Sequence, residues 1–156
     1  MGEIMALERQ HWPELYRLMV ARRFPAVPPK FAEAEPMFGA AKLFGLLDGS
    51  ELKAGFVFGA PDEGIAHFDV VCSQQTQGLW ATPEVLRRLF ALAFGELGLR
   101  CVWVQPHGKR ALRAALQAGF LAVTPLDGLA PVLAMTPHLL PPKFKLKEEK
   151  NDGKFV

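Results

Sequence analysis

The stretch QTQGLWATPEVL, with Gln77 to Ala81 at its centre, is the segment whose residue types most suggest chemistry. It reads as a phosphate-binding loop opening onto a helix. Successive backbone N–H groups ahead of a helix form a nest for an anion, and the helix dipole adds to it. Gly78 has no side chain to hold a phosphate away. Thr82 is a suitable N-cap and Pro83 a suitable first helical residue. Trp80 stands out, because an indole in such a loop could fill the phosphate space. The plain alternative is that Gly78 only turns the chain and Thr82 only caps a helix. Just upstream, IAHFDVVC alternates as a strand. Ala66, Phe68, Val70 and Cys72 fall on one face, and His67, Asp69 and Val71 on the other. An imidazole and a carboxylate therefore share a face.

The elements that must hold these residues follow from periodicity. Ile4 to Leu7 suits an edge strand. Trp12, Leu15, Tyr16, Leu18 and Met19 recur at helical spacing behind Pro13. RRFPAVPPKFAEAEPMFG holds four prolines and is expected as a loop or a short helical excursion. KLFGLLDGSELKAGFVFG is two strands joined at Asp48-Gly49, a hairpin dipeptide. The helix after Thr82 is expected from Pro83 to Leu97, with one apolar face and Gly98 as its stop. RCVWVQ is a buried strand, and Lys109 to Ala118 a second helix ending at Gly119. Phe120–Val123 and Ala130–Met135 read as a final strand pair. The order predicts an α/β (α+β) domain with one mixed sheet, and the strand–helix–strand unit at 65–105 predicts a parallel crossover. One domain is expected over 1–138, and a charged C-terminal arm or tail over 139–156, where Lys143 to Lys147 alternate in β fashion. Such a tail either frays or pairs with another chain's sheet edge.

The 156 residues are 50% hydrophobic and 22% charged, enough for one domain with a real core. A formal net charge of +2 gives no argument for nucleic acid or membrane binding. No apolar run reaches a membrane span. Cys72 and Cys101, both in apolar strand-like runs, read as reduced core residues of a cytosolic-type protein. The N-terminal residues lack a signal pattern, so a cytoplasmic location is expected. No metal is expected.

QGLWATPEVLRRLFALAFGELGLRCVWVQ and GKRALRAALQAGF together resemble the GCN5-related N-acetyltransferase (GNAT) superfamily, over most of the chain from Ile4 to Met135. ALAFGELGLRCVWV and RALRAALQAGF look most like the members that modify protein N-termini and small amines. The resemblance implies a mixed, mostly antiparallel sheet with a parallel crossover, a central splay and helices on both faces. It implies acetyl-CoA as cofactor, its pyrophosphate held by the backbone of Gln77, Gly78, Leu79, Trp80 and Ala81 with Thr82 behind them. Arg87, Arg88 or Lys109 would neutralise phosphate charge. The splayed strand, near Val70, Val71 and Cys72, would polarise the thioester carbonyl through a backbone N–H.

The same resemblance makes His67 and Asp69 the candidate bases for an amine, and Ser73 a candidate for stabilising the leaving thiolate. His107 falls where substrate or pantetheine would pass, and Trp103 reads as core or pocket wall. Glu84 reads as a helix-dipole residue. The chain departs from the family at Trp80, at Gly108, where an asparagine usually holds the pantetheine, and at Ala115, where many members have a tyrosine. The chain's single tyrosine, Tyr16, is remote in sequence.

Three readings follow. The first is an acetyl-CoA-dependent N-acetyltransferase acting on a small-molecule amine, a protein N-terminus or a lysine. The second is a GNAT-fold structural or assembly protein without catalysis, similar to some tailed-phage virion and head-assembly proteins. There the arm would engage a protein partner or a second copy, and the location would be a virion. The third is an acyl-CoA binding module without turnover.

Overall fold

Asp48-Gly49 turns the chain where the dipeptide predicts, with Gly49 at φ 64°. It joins β2 (Lys42–Asp48) to β3 (Glu51–Asp62). A second tight turn, with Glu63 and Gly64 both at positive φ, returns the chain into β4 (Ile65–Cys72). β1 (Glu3–Ala6) pairs antiparallel with β2 at the sheet's edge. The computed structural model describes residues 2–145, and adds β5 (Cys101–Val104), β6 (Leu121–Ala122) and β7 (Leu133–Met135). All seven strands form one sheet in the order β1-β2-β3-β4-β5-β7-β6. Every neighbouring pair is antiparallel except β4 with β5. The last hairpin is inverted in space, because β7 inserts between β5 and β6.

Helices cover both faces. On one face Phe44, Leu46, Phe56, Phe58 and Ala66 pack under Leu89, Leu92 and Ala93. Leu89 belongs to α3 (Pro83–Ala91). On the other face Leu43, Leu52 and Val71 pack under α1 (Trp12–Ala21) and α2 (Phe31–Ala40) through Leu15, Met19, Ala34 and Phe38. A third cluster joins Phe90 of α3 to Ala118 of α4 (Lys109–Ala118), Phe120, Leu133, Met135 and Phe144.

Two helices differ from their sequence patterns. The proline-rich segment contains all of α2 but its last residue, Ala40, with Pro36 inside the helix. An interior proline costs about 3 kcal/mol. Burial of Phe38, together with Ala34, offsets much of that, at about 1.5–3 kcal/mol for a phenylalanine. The helix expected to Leu97 is regular only to Ala91. It then widens into a π turn, Leu92–Glu96, closed by Leu97 N–H donating to the Leu92 carbonyl. The widened turn keeps Leu92 and Ala93 in the core, and Gly98 ends the element at φ 61°.

The C-terminal segment is packed as far as it is described. Pro142–Phe144 forms a 3₁₀ turn in place of the expected β alternation. Phe144 is buried with its ring 5.7 Å from Phe90. The boundary expected after residue 138 thus falls within packed structure, and the remainder of the expected arm, 146–156, lies outside the described residues. No helix among the described residues is long and apolar enough to cross a membrane.

Phe56 is fully buried where β3 meets α3. Phe56→Ala is expected to destabilise the fold by about 3–5 kcal/mol, read as a lower urea midpoint with unchanged slope. A loss under about 1 kcal/mol would show that this core collapses around the cavity.

Candidate active site

β4 is held on its two sides over very different lengths. Its pairing with β3 runs from His67 to Cys72 without a break, and Ser73 N–H continues it by donating to the Lys53 carbonyl. That bond fixes the alternation: Val71, Asp69 and His67 bond towards β3, while Phe68, Val70 and Cys72 turn their backbone groups the other way. On that other side β5 pairs with β4 at only three positions, Ile65↔Cys101, Ala66↔Val102 and His67↔Trp103. Beyond them β5 follows β7, with Val104 opposite Leu133. The sheet therefore splays, and the peptide groups of Val70 and Cys72 face the gap.

His67, Asp69 and Trp103 gather where this gap begins. His67 Nδ1 lies 3.2 Å from Asp69 Oδ2. Its ring stacks on Trp103 at 4.0 Å and 23°, and its Nε2 is buried with no hydrogen-bond partner. Burial pushes the Asp69 carboxyl above its usual range, while His67 and then His107 pull it back. His107, on the loop after β5, thus acts on the same carboxyl. The sequence pattern paired His67 with Asp69 correctly. It gave no signal for the Trp103 stack, which depends on the β4–β5 register.

The loop after β4 is organised by its own turns. Thr76 and Gln77 N–H donate to the Ser73 carbonyl, Leu79 N–H to Thr76, and Thr82 N–H to Trp80. Ser73 Oγ is 2.7 Å from Thr76 Oγ1, so that hydroxyl is engaged locally. Of the five expected donors, Gly78, Trp80 and Ala81 have no acceptor among the described residues. Gly78 has φ 79°, and a Cβ there would meet nothing within 4 Å. Trp80 does not fill this space. Its indole turns inward onto Phe56, with ring centroids 5.5 Å apart, and joins the core under α3. Thr82 caps α3 by accepting from Val85 N–H.

Other expected site residues lie elsewhere. Arg87 points away from the loop and donates from Nε and Nη2 to the Lys143 carbonyl. Arg88 pairs with Glu96 at 3.7 Å. Gly108, at φ 90°, and Lys109 open α4 and line a cavity of about 250 Å³ with Pro106, His107 and Leu112. Tyr16 is tied to the Pro28 carbonyl at 2.6 Å, and no tyrosine stands at Ala115. Val71 is buried under α1. Cys72 and Cys101 are unpaired. Among the described residues no group of three or more His, Cys, Asp or Glu could hold a metal.

This architecture recurs in solved acetyltransferase structures. A variant of the spermidine N-acetyltransferase SpeG from Vibrio cholerae matches with a TM-score of 0.70, at 17% identity, over 86% of this chain and 92% of that one. Mutant forms of the spermidine/spermine N-acetyltransferase SpeG from Vibrio cholerae match at 0.71 and 16%, over 87% and 94%. A dodecameric structure of the Vibrio cholerae spermidine N-acetyltransferase matches at 0.68 and 16%, over 86% and 92%. No protein-family model matches the chain, and no curated protein matches it in sequence. The fold is the GNAT fold, with its single parallel strand pair and helices on both faces.

The Asp69 carboxyl supplies a pH test. A carboxyl whose folded pKa is raised favours the folded state fully below its unfolded pKa, and loses that contribution as pH rises through the folded one. Asp69→Asn is therefore expected to gain stability relative to the parent as pH goes from about 3 to about 7. Urea midpoints at both pH values measure it. A constant or shrinking difference would mean that the His67 attraction outweighs burial.

Proposed function

We propose that the chain is an acyl-coenzyme A-dependent N-acetyltransferase acting on an amine. The observation that carries this reading is the splay, which leaves the Val70 and Cys72 backbone open in a gap with an imidazole–carboxylate pair at its mouth. The fold supports it, since the neighbours are spermidine N-acetyltransferases. Their amine makes a polyamine the first substrate to try, with a protein N-terminus or lysine next. Two unpaired cysteines suit the reducing cytoplasm that this role implies.

The residues present fit the cofactor. Gly78, Trp80 and Ala81 hold free N–H groups ahead of a capped helix, around a glycine with open space above it. These would hold the pyrophosphate, and Lys109 and Gly108 would border the pantetheine side. When bound, acetyl-CoA supplies an acetyl thioester for transfer. Val70 N–H, facing the gap, is placed to donate to a carbonyl oxygen and favour negative charge there. His67 would take the amine proton at Nε2, the ring nitrogen without a partner, once substrate binding uncovers that buried atom. Asp69, beside Nδ1, orients the ring. Trp103 fixes the ring plane by stacking. Ser73 and Cys72 stand at the far end of the gap, where the thiolate would leave. The cost of separating charge is met by preformed groups, which need no reorganisation.

Calorimetry with acetyl-CoA, followed by turnover on a polyamine and peptide panel, tests the reading. The parent protein is expected to bind acetyl-CoA. His67→Gln is expected to bind it equally and to lose about 10²–10⁴ in turnover. Absence of binding at millimolar acetyl-CoA would overturn the enzyme reading in favour of a structural role for the fold. Binding without transfer to any amine would leave a coenzyme A binding module.

A further inference from the structure

The phosphate loop has a shortage of positive charge. From Ser73 to Pro83 there is no lysine or arginine, and Glu84 adds a carboxylate in the first turn of α3. Arg87 is committed to the Lys143 carbonyl and Arg88 to Glu96. Three backbone N–H groups alone would face a pyrophosphate diester carrying about two negative charges, next to an acidic side chain.

A cation nevertheless reaches the loop from a different element. Arg22 caps the C-terminus of α1, its own N–H bonded to the Leu18 carbonyl. Its guanidinium crosses to the loop, and Nη2 donates to Gln77 Oε1 at 2.5 Å. Gln77 begins the run of cradle residues. The partner is a neutral amide, and among the described residues no carboxylate lies within ion-pair distance of Arg22. A guanidinium has five donors in a planar fork, and one of them is used here. The same charge is felt at the end of β4: burial pushes the Cys72 thiol up and Arg22 pulls it back. Arg22 therefore stands between the strand that lines the gap and the loop that would hold the phosphates.

We propose that Arg22 is the pyrophosphate-binding cation of the cofactor site, supplied by α1 and held in place by Gln77 until the phosphate arrives. This assignment rests on the cofactor reading above. It also links the two halves of the site, because α1 covers the face on which His67 and Asp69 lie. Cofactor binding would thereby fix the end of α1 and the strained turn after it, where Arg23 and Ala26 hold positive φ.

The test is acetyl-CoA affinity by calorimetry at low and high salt, for the parent, Arg22→Gln, Arg22→Lys and Gln77→Glu. A lost charge-assisted bond to phosphate corresponds to about a ten- to hundredfold weaker Kd. Arg22→Gln is expected to show that loss together with a shallower salt dependence, since the screened contact is gone. Arg22→Lys is expected to keep the salt dependence. Gln77→Glu, at an exposed position that does not threaten folding, is expected to weaken binding by capturing Arg22 and adding a negative charge. Parent-like affinity in both Arg22→Gln and Gln77→Glu would overturn the proposal. So would a loss in Arg22→Gln with an unchanged salt slope, which would mark a structural role. If the parent itself binds no acetyl-CoA, the cofactor reading fails and this assignment fails with it.

Discussion

Two halves of the sheet are joined by three residue pairs between β4 and β5, and the site depends on that short seam. β4 is bonded to β3 along its length, and β5 to β7. Each strand follows the twist of its antiparallel partner, so the two part company after His67 and Trp103. Pro106 follows two residues after β5 and cannot donate to a continued ladder. Backbone groups that a closed sheet would satisfy are left at Val70 and Cys72. Unpaired main-chain donors are costly when buried and dry. They persist here because Val70 and Cys72 are only half-buried, so the penalty of a dry interior does not apply in full.

The same seam places the His67–Asp69 pair. In the parallel register His67 sits opposite Trp103, so the last paired residue receives a flat aromatic surface for its ring. Asp69, two residues further along, lies beyond the paired region on the same face. The pair is therefore rigid on one side and open on the other. Tight packing under α1 and α2 supports that face through Val71.

The loop behind the gap shows how a large residue can occupy a small-residue position. The turns that bond Thr76 and Gln77 to Ser73, and Leu79 to Thr76, rotate the following indole toward the core. Trp80 then contributes burial against Phe56, and leaves the outer side of the loop to backbone donors and Gly78. Arg22, 55 positions away in sequence, crosses from α1 to this loop and donates to Gln77.

Much of this fold was legible in the residues alone. Asp48-Gly49 announced a hairpin, Thr82-Pro83 a helix start, Gly98 and Gly119 helix stops, and alternation put His67 beside Asp69. These are local signals, set by backbone sterics and by side-chain period, and they survive in any context. What stayed hidden was set by burial and register. Phe38 drew a helix through Pro36, and the core stretched α3 into a π turn. Phe144 brought the supposed tail back onto Phe90, and Arg87 followed it to the Lys143 carbonyl, away from the loop before α3. The sequence by itself determined which elements form and which residues share a face, because those depend on neighbours along the chain. Tertiary structure alone decided where Trp80 points, where Arg22 reaches and that β4 and β5 separate, because those depend on partners that no spacing encodes.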